Sequence, residues 1–237
     1  MLTYNKQKFL LLDSLEQDMV DILRENNAVI AGGAIRSIFA GEYISDYDIY
    51  PNSQDSLMKL QTYFCNNDYK LKYVSPTALS YVKDKNKIQL IKMSEMMGNV
   101  PPELLEKFDF TICMGLFDFF SGSFYLDENF LPDLSRRDLK FNIKTKYPLS
   151  SLFRMRKFVY RGYKISGTEI VKIGLAINNL KIESYSMLKE QLYGIDTLFL
   201  KELTDQLLEW AGKEYDFNEF LHLLDCYEDK YLDVVME

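Results

Sequence analysis

The chain has 237 residues, 47% of them hydrophobic and 27% charged, a balance that excludes an intrinsically disordered protein. Its net charge of -7 excludes a blanket electrostatic grip on DNA or RNA, though not a local basic patch. Cys65, Cys113 and Cys226 lie far apart and His222 is the one histidine, which excludes a conventional zinc site and a disulfide framework. No apolar run approaches membrane-spanning length, and the N-terminal stretch is interrupted by charge, so neither a membrane span nor a signal peptide is read and a cytoplasmic setting is expected.

In chain order, residues 5 to 26 place Phe9, Leu10, Leu12, Leu15, Met19, Ile22 and Leu23 at helical spacing, predicting one amphipathic helix ended by Asn26-Asn27. Residues 28 to 50 then read as strand, glycine turn, helix, strand: an apolar run Ala28 to Ala31, the pair Gly32-Gly33, a short helical stretch with Arg36, and Asp46-Tyr47-Asp48-Ile49-Tyr50. Ser53 is a candidate N-cap for a helix from Gln54 to about Phe64. Tyr69 to Val74 alternates as a strand, and Ala78 to Val82 with Lys87 to Met93 reads as a hairpin around Asp84-Lys85-Asn86. Pro101-Pro102 begins a short helix, and Phe108 to Phe120 is an apolar run expected as a strand that carries Asp109, with Asp118 as a turn residue before Ser121-Gly122.

Beyond about residue 131 helical periodicity takes over, with helices expected over 149–163, 168–180, 195–211 and 217–235. The fold expected is therefore α+β. An N-terminal head over residues 1–145, expected as a mixed β-sheet with helices on one side, is followed by an all-helical part over 146–237. His222, in an apolar run, reads as a packing residue, and Trp210 as helix core.

The chemistry rests on residues 28 to 50. Strand side chains alternate, so Asp46 and Asp48 share one face while Tyr47 and Ile49 share the other. Two carboxylates side by side repel, and a divalent cation between them relieves this. Gly32 and Gly33 let a backbone approach phosphates at a helix N-terminus, whose partial positive charge favours an anion. Alone, an Asp-x-Asp is better explained by a solvated strand or turn. Its separation by twelve residues from Gly33, with both halves on apolar strands, is what suggests a triphosphate-binding site.

Asp109, flanked by Phe108 and Phe110, is the third candidate, because a carboxylate in an apolar strand is costly to bury unless paired or metal-bound. If its strand adjoined that of Asp48, Asp46, Asp48 and Asp109 would together hold two Mg²⁺ ions, with Mn²⁺ as a substitute. Arg36 reads either as a phosphate contact or as a surface ion pair. Arg154, Arg156, Lys157 and Arg161 form a basic stripe that would bind the nucleotide or acceptor phosphates, or else be a solvated helix face.

These residues resemble the DNA polymerase β-type nucleotidyltransferase superfamily, and within it the branch of tRNA CCA-adding enzymes and bacterial poly(A) polymerases. Gly32-Gly33-Ala34-Ile35-Arg36 is similar to that branch's G-G-x-V-R-D, and Asp46-Tyr47-Asp48-Ile49 to its D-[IY]-D-I. Asp109-Phe110-Thr111-Ile112-Cys113-Met114 is similar to its R-R-D-F-T-I-N-A-M, and the stretch from Tyr147 to Phe158 to its neck helix. The departures are Ser37 for the family's Asp, Lys107-Phe108 for its arginine pair and Ser151 for the first neck arginine; Arg136-Arg137-Asp138 falls too late to replace that pair. The resemblance implies transfer of a nucleoside monophosphate from an NTP to an acceptor hydroxyl, with an RNA 3′ end, tRNA in particular, as the acceptor. The same head is compatible with a protein or small-molecule acceptor, and with a nucleotide- or tRNA-binding module that has no activity.

Overall fold

Ala28 to Ala31 owes its apolar character to a central place in the sheet. In the computed structural model, which describes residues 4–98, 101–193, 203 and 205–236, the run supplies strand β1 (Val29–Ala31), with Ile30 and Ala31 fully buried. Seven strands form one sheet: β1, β2 (Tyr47–Tyr50), β3 (Lys70–Val74), β4 (Ala78–Lys83), β5 (Asn86–Ile91), β6 (Gly115–Asp118) and β7 (Ser123–Leu126). Their spatial order is β3-β4-β5-β2-β1-β6-β7. The β2–β5 pair is parallel and the other pairs are antiparallel, so the sheet is mixed. The hairpin expected around Asp84 is the β4–β5 pair, with Asp84 in the left-handed region (φ 53°) that a tight turn uses.

The expected N-terminal helix is two: α1 (Asn5–Asp13) and α2 (Gln17–Glu25). The Ser14 hydroxyl donates to the Leu11 carbonyl at 2.7 Å, a local bond that competes with the helical ladder and ends α1. Of the expected stripe, Leu15, Met19 and Leu23 are buried, whereas Phe9 and Leu10 of α1 face solvent and Leu11 is the residue of α1 that is buried. After β1 comes α3 (Gly33–Ala40), closed by Gly41 in the left-handed conformation (φ 70°). Ser53 caps α4 (Gln54–Asn66) by accepting from the Ser56 amide, as its position predicts.

The largest departure concerns the run from Phe108 to Phe120. It is not one strand. Phe110 makes an isolated bridge with Phe141, Thr111–Cys113 form a single 3₁₀ turn, and β6 begins only at Gly115. The Thr111 hydroxyl donates to the buried Asp133 at 2.7 Å, and the Cys113 amide reaches back to the Phe110 carbonyl, which closes the turn. The run is apolar because most of it threads the core, with Phe110, Ile112, Cys113 and Leu116 all 0% exposed, until it emerges at the exposed Phe120. Asp133 belongs to α6 (Phe130–Arg136), a helix that follows the short helix α5 (Pro101–Leu105) in sequence and that periodicity did not single out. Asp118 takes the expected turn role, accepting from the Phe120 amide at 2.9 Å.

The chain divides into two compact units, residues 1–142 and 143–237. The second is helical: α7 (Pro148–Tyr160), α8 (Gly167–Asn178), α9 (Tyr185–Glu190) and a helix over Phe217–Met236. Leu149, Tyr185, Leu188, Leu192, Leu203, Leu207 and Phe220 make its core, with Trp210 packed against it. The buried Tyr185 hydroxyl donates to Glu219 at 2.8 Å and accepts from the Asp216 amide at 3.1 Å. His222 is exposed rather than packed, because Phe220, Leu223 and Leu224 take the inward face of the helix and leave Leu221 and His222 on the outer one. Of the helix expected over 195–211, residues 195–202 and 204 lie outside the described residues, and 205–209 are helical. Among the described residues no helix is long and apolar enough to cross a membrane. The architecture is thus α+β, a mixed sheet with helices followed by a helical C-terminal part.

Candidate active site

The expected strand–turn–helix–strand unit is present as β1, Gly32, α3 and β2. Gly32 is the N-cap of α3 with φ 77°, a conformation open to glycine and strained for other residues. A Cβ there would also lie 3.1 Å from the Phe108 ring, whereas a Cβ on Gly33 would meet nothing within 4 Å. The two glycines therefore differ in purpose. Gly32 makes the turn, and Gly33 leaves open space beside the first amides of α3, which have no intrahelical acceptor. Gly33→Ala is expected to keep or slightly raise the melting temperature. Gly32→Ala is expected to lose about 1–2 kcal/mol from backbone strain alone. Thermal unfolding of the two variants checks this.

Alternation on β2 is as expected: Tyr47 and Ile49 are buried, and Asp46 and Asp48 are half-buried on the opposite face. Asp48 lies within β2, while Asp46 precedes it by one residue. Burial raises the pKa of the Tyr47 hydroxyl, so it stays neutral at physiological pH. Asp46 accepts from the Ser45 hydroxyl at 2.6 Å and from Gln89 Nε2 at 3.1 Å. Gln89 is on β5, directly opposite Asp48 in the parallel β2–β5 register, and Ala31 is opposite Asp48 on the other side.

Asp109 is 4% exposed, in the segment leading to the 3₁₀ turn. Asn142 pins this segment: its amide donates to the Asp109 carbonyl at 2.7 Å, and its side chain to the carbonyls of Glu106 and Phe108 at 2.7 and 2.8 Å. The strand that follows, β6, pairs with β1 and not with β2, so strand pairing does not carry Asp109 to the side of Asp48. Among the described residues no three His, Cys, Asp or Glu side chains are grouped to hold a metal ion.

Arg36 is buried, not on the surface. Its guanidinium donates to the Ser37 hydroxyl at 3.1 Å and lies 3.6 Å from Glu42, which is 3.7 Å from Arg137. Arg136 pairs with Asp133 and Asp138, which gives it a structural role. Arg154, Arg156 and Lys157 belong to α7 in the second unit and are half-buried there, with Arg154 at 6.0 Å over the Phe158 ring, and Arg161 is exposed.

A model of the Gabija anti-defense 2 family matches residues 1–137. The chain belongs to that family. The family's protein from Bacillus phage SPbetaL7, "Gabija anti-defense 2", is 34% identical over 236 residues, covering 94% of this chain and 58% of its own length. The chain thus spans less than two thirds of that curated relative. Among solved structures, the Thermotoga maritima CCA-adding enzyme in complex with tRNA is similar with a TM-score of 0.55 at 15% identity, over 96% of this chain and 55% of that one. A CCA-adding enzyme in complex with CTP gives 0.58 at 15% identity, over 98% and 57%. At such identity the likeness is one of fold: this Gabija anti-defense 2 family member has the nucleotidyltransferase-like architecture of CCA-adding enzymes.

Proposed function

We propose that the first unit is a nucleotidyltransferase head that binds an NTP through Gly33, the N-terminus of α3, Asp46 and Asp48, and transfers a nucleotidyl group to a component of the Gabija defence system rather than to a tRNA 3′ end. The observation that carries the reading is the pair of half-buried carboxylates on one face of β2, beside open space at Gly33, in a fold shared with CCA-adding enzymes. The family's name favours a defence component as acceptor over RNA, and so does the net charge of -7.

The residues present suit Mg²⁺, which takes hard oxygen ligands and is commonly held by one or two carboxylates together with substrate phosphates. Asp46 and Asp48 are such a pair. The ion would neutralise phosphate charge and favour ionisation of the acceptor hydroxyl. The chain's own groups would hold and align the NTP: the free amides at the start of α3 take the phosphates, and the carboxylates fix the ion's place on the sheet. The acceptor oxygen would then bond to the α-phosphorus as the bond to the bridging oxygen breaks, releasing pyrophosphate and passing the hydroxyl proton to solvent. On the first unit, Asp109 is the group proposed for the acceptor side.

A specific observation favours a second reading, a nucleotide-binding module without turnover: the residue beside the carboxylates on β5 is the neutral Gln89, not a third acid. One experiment separates the two. The protein is incubated with each α-labelled NTP, Mg²⁺ or Mn²⁺, purified Gabija proteins and, separately, total cell RNA. Label on a Gabija protein supports the first reading and label on RNA sinks its acceptor. Saturable NTP binding with no label anywhere selects the second.

A further inference from the structure

A polar row crosses the sheet beside the candidate site. Ser80 on β4, Gln89 on β5 and Asp48 on β2 occupy one register line, Ser80 opposite Gln89 and Gln89 opposite Asp48, and all three are half-buried. In-register neighbours point to the same face at a strand spacing of about 4.8 Å. On both sides of Gln89 along β5 the alternation is apolar, with Ile88 and Leu90 fully buried on the opposite face. Gln89 is thus the residue opposite Asp48 on β5, and its amide nitrogen holds Asp46 at 3.1 Å.

From this row we infer that Gln89 is a positioning residue that limits the ion site to two charges, so that a divalent cation is taken up only together with nucleotide phosphates. The inference rests on the nucleotide-binding reading of Asp46 and Asp48 given above. Two physical effects carry it. A neutral donor fixes the Asp46 carboxylate and occupies one of its acceptor positions without adding charge, so the carboxylate stays in place before an ion arrives. A carboxylate in the same place would add a third anionic ligand on the same face, and affinity for hard cations rises with the number of charged ligands. With two carboxylates only, the missing ligands have to come from phosphate oxygens and water. The predicted device is ordered loading: nucleotide and ion arrive as one unit.

The substitution that isolates this is Gln89→Glu, which keeps size and shape and changes charge and donor capacity alone. Mn²⁺ binding to the nucleotide-free protein is measured by the loss of the free-ion electron paramagnetic resonance signal, for the full chain. The wild type is expected to bind Mn²⁺ weakly until a non-hydrolysable NTP analogue is added. Gln89→Glu is expected to bind it at least about tenfold more tightly without nucleotide, by the added charged ligand. The gain is expected to vanish in Gln89→Glu combined with Asp46→Asn. Gln89→Ala, which removes the tether and adds no charge, is expected to leave nucleotide-free Mn²⁺ binding weak and to weaken binding in the presence of the analogue. Circular dichroism and thermal melts establish that each variant is folded.

Tight Mn²⁺ binding by the nucleotide-free wild type would overturn the inference. So would a folded Gln89→Glu with unchanged affinity, or a gain that survives Asp46→Asn. These outcomes are independent of turnover. A wild type that transfers no label fails the transferase reading while leaving the Mn²⁺ result intact. A wild type that transfers label, with Gln89→Glu unchanged in Mn²⁺ affinity, fails this inference alone.

Discussion

Asp46→Asn and Asp48→Asn are each expected to abolish label transfer from an α-labelled NTP, with losses on the order of 10²–10³-fold or more, the scale set by removing one preorganised electrostatic group from an active site. Asparagine keeps the shape of the side chain and removes the charge that an ion would need. Both residues are half-buried at the edge of the core and not inside it, so the melting temperature is expected to correspond to a stability change within about 1 kcal/mol. Activity lost at unchanged stability is the signature sought. Retained transfer in both variants, or a matching collapse in stability, would remove these two residues from the site. Circular dichroism melts run beside the transfer assay decide between the cases.

Gly115→Ala is expected to be the most damaging single-methyl change in the first unit. A Cβ at Gly115 would come within 2.8 Å of Phe130 Cε2 and 3.0 Å of both Ile35 Cγ2 and Leu126 Cδ2. Phe130 and Ile35 are 0% exposed, so neither has solvent to move into. Overpacking of this kind costs about 1–3 kcal/mol, and the melting temperature is expected to fall by several degrees. Because Ile35 is on α3, the helix that Gly32 and Gly33 begin, a displaced Ile35 also shifts the candidate phosphate site. Gly174 on α8 is the control. A Cβ there meets nothing within 4 Å, and Gly174→Ala in a helix interior is expected to be neutral or to stabilise by up to about 1 kcal/mol. Equal effects from the two glycines would refute the packing argument.

The parts of the fold that were legible in the sequence are those set by local chemistry. The Gly32-Gly33 turn, the Ser53 cap, the Asp84 hairpin and the alternation through Asp46 and Asp48 depend on neighbours within a few residues, and each is where the pattern predicts it. What was not legible is set by distant partners. Nothing near Phe108 to Phe120 announces that Thr111 binds Asp133, and without that bond an apolar run reads as one strand. The parallel β2–β5 pair brings Gln89 to Asp46 across 43 residues, so its hairpin could be read while its meaning could not. The split between α1 and α2 lay within reach of the sequence, since Ser14 near a helix interior is a local competitor for backbone bonds. Of the two readings of Arg36, phosphate contact or surface ion pair, the structure gives an ion pair with Glu42 that packing buries, which its place near the start of α3 does not reveal.

The hydrogen bonds of Asn142 bear on where this protein can be cut. The family match ends at residue 137, and a fragment ended there would look sufficient. It would lack Phe141, which bridges to Phe110, and Asn142, whose backbone and side chain close three bonds onto Glu106, Phe108 and Asp109. The Lys140 carbonyl, which receives the Thr111 amide, would go as well. Residues 140–142 therefore act as a late-arriving brace for a segment made some thirty residues earlier. An excised head is expected to need residues through Asn142 to keep the Asp109 segment in place.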